Sequence, residues 1–130
     1  MKKVTLCPIV TTLFTIIIFV LLFYFTEVEQ KIIFLTSGVL GGIVAIPLAR
    51  DMTVATAVVS INIAAVAIAA TITGNAPQMI VVIAGLMIAI GGSAAYDQPE
   101  KEKKRFYFFL VLEALVIIAT IIKIVPKNIT

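Results

Sequence analysis

Residues 50–78 decide how this chain is read. They run Arg50-Asp51, then the apolar segment MTVATAVVSINIAAVAIAATIT over 52–73, whose one amide is Asn62, then Gly74-Asn75-Ala76-Pro77-Gln78. At 1.5 Å per residue such a segment is about 30 Å long, the thickness of a bilayer's hydrocarbon core. The uncharged turn leads directly into another apolar run over 77–96. The two runs predict a helical hairpin around which the rest of the chain is organised.

Working outward, three further apolar runs appear, over 6–25, 32–49 and 106–125. The second is interrupted by Gly38, Gly41, Gly42 and Pro47, and a hydrophilic break over 97–105 separates the fourth run from the fifth. The chain has 130 residues, 62% of them hydrophobic and only 13% charged. Soluble domains average about 45–50% apolar and about 25% charged, and a chain this short cannot bury so much apolar surface in water. In lipid, only helices and closed barrels satisfy their own backbone. Long runs without period-two alternation predict helices. The expected fold is an all-α integral membrane protein, a single domain over 1–130 built as a bundle of five transmembrane helices.

The first run is too long for a signal-peptide core, and no small-x-small cleavage pattern precedes Glu27, so it reads as a retained anchor. Cys7 does not sit where a lipoprotein cysteine would, and a lone cysteine forms no disulfide within the chain. Five crossings place Lys2, Lys3, Arg50, Lys101, Lys103, Lys104 and Arg105 on one side, with Lys31, Lys123 and Lys127 on the other. The positive-inside rule puts the richer side, with the N-terminus, in the cytoplasm and the C-terminus outside. The competing topology has four spans, with the glycine-rich second run re-entrant. Asp51 suits the N-cap of the third helix, and Pro77 the first turn of the fourth. The basic run over 101–105, interleaved with Glu100 and Glu102, reads as a solvated loop, followed by an interfacial aromatic belt over 106–109. Asn128-Ile129-Thr130 has the form of a glycosylation acceptor at the chain end, and no glycan is expected there.

Small residues mark where helices approach closely, because lipid gives no hydrophobic drive for association. Gly38, Gly41 and Gly42 form such a site on the second run. Ala57, Ala65 and Ala69 share a face of the third, and Gly85, Ala89 and Ser93 recur at spacing four on the fourth. These faces serve either packing inside the bundle or contact with partner subunits. The first run, bulky at Phe14, Ile16, Ile17, Ile18, Phe19 and Phe23, is expected at the lipid-facing periphery.

Polar groups at membrane depth are the candidate chemistry. Asn62 falls near the middle of its helix, and Glu113 roughly 10 Å from the cytoplasmic end of the fifth, with Thr120 on the same face. An ionisable group at such depth costs about 2.5–3.5 kcal/mol on insertion scales and is a functional candidate for that reason. Glu113 reads either as a neutral donor tying its helix to Asn62 or to a neighbour's backbone, or as a proton carrier. Asn62 reads as helix glue or as a ligand. Together Glu113, Asn62 and Thr120 are the candidate proton or ion path. Without histidine, a phosphate-binding glycine loop, a nucleophile elbow or paired carboxylates, no cofactor, metal site or self-contained catalysis is expected. The chain does not divide into inverted halves as many transporters do.

Arg50-Asp51, the apolar helix after it, and Ala76-Pro77-Gln78 before a glycine-containing helix resemble small membrane segments of Mrp-type cation/proton antiporters. Related segments occur in the membrane arms of energy-converting hydrogenases and complex I relatives. The resemblance covers about 45 residues and implies a subunit working beside proton-translocating partners. It departs at Gln78 and Ile83, where the family pattern carries acids, which leaves Glu113 as the deep carboxylate. The Ile/Val-rich spans and the Lys/Glu run are similar to archaeal proteins. The expectation is a non-catalytic subunit of a respiratory or ion-translocating complex, partnered by other integral membrane subunits and the bilayer and not by nucleic acid. The rivals are a self-assembling small transporter or channel, and an accessory subunit of a membrane-bound metalloenzyme.

Overall fold

A computed structural model describes residues 6–27, 29–49, 51–74 and 76–125. Lys2, Lys3, Arg50, Asn75, Lys127 and the 128–130 acceptor pattern lie outside the described residues, so expectations resting on them have no structural counterpart. The elements are α1 (Leu6–Phe25), α2 (Gln30–Leu48), α3 (Met52–Ile72), α4 (Met79–Tyr96) and α5 (Glu100–Ile124). All five are long and apolar enough to cross a membrane. Helix α2 runs unbroken through its glycines, and Pro47 falls in its last turn, where its missing N–H takes the helical donor from the Ile43 carbonyl alone.

Local chemistry fixes the ends. Asp51 Oδ1 accepts from Val54 N at 3.0 Å and from Thr53 Oγ1 at 2.6 Å, closing the N-terminus of α3. At its other end, Gly74 takes φ 80°, a left-handed conformation that stops the helix at little steric cost. Pro77 lies just ahead of the α4 N-cap, Gln78, and not in the first turn. The larger departure is at α5. The run expected as a loop is helical from Glu100: the Pro99 carbonyl accepts from the Glu102 and Lys103 amides at 2.9 Å, and Glu100 and Glu102 suit the positive end of the helix. Lys103 then pairs with Glu100 at 3.0 Å, one turn away. The hydrophilic break shrinks to residues 97–99, and Gln98 Nε2 donates to Thr53 Oγ1 at 2.8 Å, fastening this link to the start of α3.

Helix α3 is the hub. It packs against α1, α2, α4 and α5, while α2 touches neither α4 nor α5 among the described residues. Its composition explains this: Ala57, Ala64, Ala65 and Ala69 are buried on several sides, so neighbours approach from all round. Helix α1 turns most of its bulk outward as expected, with Phe14 and Ile17 exposed, but it also has a buried side. Cys7, Pro8, Thr11, Thr15 and Phe19 form a buried face against α2, α3 and α5. The outlying helix is α4, with three buried residues against six for α1. It rests on α3 through Ala84, Gly91 and Ala95. A Cβ on Gly91 would stand 3.0 Å from Ile61 Cγ1 and 3.2 Å from Ala57 O, so this contact needs glycine.

Candidate functional site

The core divides into two apolar clusters stacked along the helices. One holds Cys7, Ala45, Val58, Phe106 and Leu110; the other holds Phe19, Phe34, Ala65, Ile117 and Ile121. Between them lies a layer of polar side chains from α1, α3 and α5, with α2 contributing bare backbone. The candidate site is this layer.

On one side of the layer Asn62 is fully buried, and both of its polar atoms are bonded. Its Nδ2 donates to Gly38 O at 3.0 Å, and its Oδ1 accepts from Thr15 Oγ1 at 3.0 Å. One amide thus joins α1, α2 and α3, using both its donor and its acceptor. The bond to Gly38 requires α2 to come close. A Cβ on Gly41 would collide with Thr15 Oγ1 and stand 3.0 Å from Asn62 Nδ2, while one on Gly42 would press to 3.3 Å from Val59 Cγ1. Gly38 itself is looser, with Val66 Cγ1 3.5 Å from where its Cβ would be.

On the other side Glu113 is 3% exposed, and neither carboxyl oxygen has a hydrogen-bond partner among the described residues. The expected tie between Glu113 and Asn62 is absent from this structure. Glu113 stands within electrostatic reach of the Cys7 thiol. Cys7 Sγ lies near the Thr11 hydroxyl but donates to Ala45 O at 3.3 Å, and Thr11 Oγ1 is left without a bond of proper geometry. A cavity of about 190 Å³ lies between α1 and α5, with Pro8, Thr12, Phe109, Leu112, Glu113 and Val116 in its wall. It has room for water, yet both Glu113 oxygens are sealed away from it. Thr12 Oγ1 turns back on its own helix, donating to Pro8 O at 2.7 Å.

Thr120, two turns on from Glu113, is half-buried and is not joined to this layer by any hydrogen bond. Ala57 and Ala65 are buried between helices. Gly85, Ala89 and Ser93 are exposed, and a Cβ on Gly85 or Gly92 would meet nothing within 4 Å. The small residues of α4 therefore form two faces, one against α3 and one pointing out of the chain. Sequence reasoning missed the threonines of α1. Their signal was Cys7, Thr11 and Thr15 at spacing four, a small and polar stripe in a helix otherwise dominated by bulk.

Comparison with known proteins finds no matching family model, no similar curated protein and no similar solved structure.

Proposed function

We propose that this chain is a non-catalytic, five-crossing integral membrane subunit of a larger respiratory or ion-translocating complex in a prokaryotic cytoplasmic membrane. Its N-terminus lies inside and its C-terminus outside, following the basic-residue asymmetry of the sequence. The resemblance of its central hairpin to antiporter and hydrogenase membrane segments points to an energy-converting hydrogenase or an antiporter-like membrane arm. The role is to pack neighbouring subunits and seal the arm.

The observation that carries this reading is the outer face of α4. Gly85, Ala89 and Ser93 are exposed, a Cβ on Gly85 would meet nothing within 4 Å, and Ser93 borders a shallow recess with Tyr107 of α5. Small residues facing lipid forfeit the dispersion contacts that larger ones make there, whereas against another helix they permit close approach. The test is purification in mild detergent. Unlike chains should co-purify in fixed ratio, and Gly85→Leu should release them while leaving the chain itself folded. Recovery of a pure homo-oligomer, unaffected by Gly85→Leu, would overturn the proposal.

A proton-carrying role for Glu113 has its own support, the sealed carboxyl without a partner. Glu113→Gln should then abolish coupled translocation and leave assembly intact. Loss of assembly would make the residue structural. The same burial argues against the rival in which several copies bring Glu113 to one pore, since each carboxyl lies inside its own bundle between α1 and α5.

A further inference from the structure

A groove of about 520 Å³ runs along the outside of α3 where α2 and α4 stand apart. Its size falls within the roughly 300–1,000 Å³ of small-molecule sites. On α2 it extends from Lys31 to Val39, about 12 Å at the helical rise. Ala70, Ala76 and Pro77 lie at the Lys31 end, and Ile63 and Ile83 at the deep end. The groove therefore starts at the level of the turns and stops near the polar layer, covering one leaflet and not the whole thickness. Gly38, Ala67 and Ala70 give it depth by withholding side chains.

Its chemistry is polarised. Lys31 is the one charged residue in the wall, it sits at the mouth, and it makes no ion pair with any described residue. Glu27 and Glu29, on the neighbouring turn, are not part of the wall. An uncommitted ammonium at headgroup level above an apolar slot one leaflet deep matches the two ends of a lipid. A partner helix would cross the full membrane and find the slot under only half its length. The groove is also separate from the outer α4 stripe, because Ile80 and Ile83 lie on the flank of α4 and not opposite α3.

We propose that this groove holds one anionic phospholipid, its hydrocarbon tail lying along Gly38 and Ala67 and its phosphate on Lys31. Lipid bound here would hold α2 and α4 at a set distance on either side of α3.

Native mass spectrometry of the full chain, titrated with dioleoylphosphatidylglycerol and separately with dioleoylphosphatidylcholine, tests this. One phosphatidylglycerol should be retained per chain, in preference to phosphatidylcholine. Lys31→Gln should weaken its retention about fivefold, the worth of one basic residue near an anionic lipid surface, and remove that preference. Ala67→Phe, at a half-buried position, should fill the slot and prevent retention of either lipid, with folding checked by circular dichroism. If Ala67→Phe does not fold, Leu35→Trp at the exposed edge is the substitute. Equal retention of both lipids by the native chain, or retention unchanged in Lys31→Gln and the slot-filling variant, would overturn the proposal. So would disulfide cross-linking of an Ile80→Cys variant to another chain, which would show protein in the groove. None of these outcomes depends on whether unlike subunits bind at the α4 stripe.

Discussion

Asn62 and Glu113 stand at similar height in the bundle, both buried, and their surroundings differ completely. Asn62 has Thr15 on one side and the backbone of α2 on the other, reachable because Gly38 and Gly41 present no side chain. Glu113 lies among the bulky Leu110 and Ile117 of its own helix, opposite a thiol already bonded elsewhere and a hydroxyl that does not meet it. What separates them is not depth or polarity but whether a glycine-bearing helix comes close enough to offer its carbonyls. The first arrangement joins three helices. The second leaves a protonatable group waiting, a costly condition that stability alone does not favour.

The contrast can be broken most easily at Gly41. Gly41→Leu drives a side chain into Thr15 and Asn62, and at least about 3 kcal/mol of stability should be lost, read by thermal or denaturant unfolding in detergent. A native-like midpoint for this variant would mean that the three helices do not meet as described. Asn62→Leu keeps the number and branching of the side-chain heavy atoms and removes both bonds. Interhelical hydrogen bonds in membranes average about 0.6 kcal/mol and reach about 1.7, so a loss of about 1–2 kcal/mol is expected in the same assay. Glu113→Leu is expected to be neutral or to stabilise by up to about 2 kcal/mol, since it removes a buried group with no partner. A clear destabilisation would show that the carboxyl is bonded in the folded protein and would erase the contrast. The smallest effects come from α1: Thr15→Val should cost about 0.6 kcal/mol, and Thr11→Val, whose hydroxyl is unpartnered, should leave the midpoint unchanged.

The five helices were legible because hydrophobic run length is a local property. So was the Asp51 cap, a side chain bonding three residues ahead. The start of α5 was misplaced because a charged run was read by polarity alone, whereas Pro99, Glu100 and Lys103 carry capping and one-turn pairing signals that make it helical. For helix α1 the bulk of Phe14 and Ile17 marked the outward face, while the buried face of Thr11 and Thr15 was missed because the helix was read as a whole, although a helix packs by faces. The stripe on α4 showed where small residues recur, not which side of the helix turns inward. In the structure α3 takes the nearly opposite face of Ala84, Gly91 and Ala95, leaving Gly85, Ala89 and Ser93 outside.

By itself, then, the sequence determined how many helices form and which side chains lie deep within them, since apolar runs and helical rise need no knowledge of neighbours. Only the tertiary structure decided that α3 is the hub, that Asn62 bonds Thr15 and Gly38 rather than Glu113, and that the carboxyl is sealed in with no partner among the described residues. Those outcomes depend on how closely pairs of helices approach. That distance is set jointly by side chains on both partners, and no single segment encodes it.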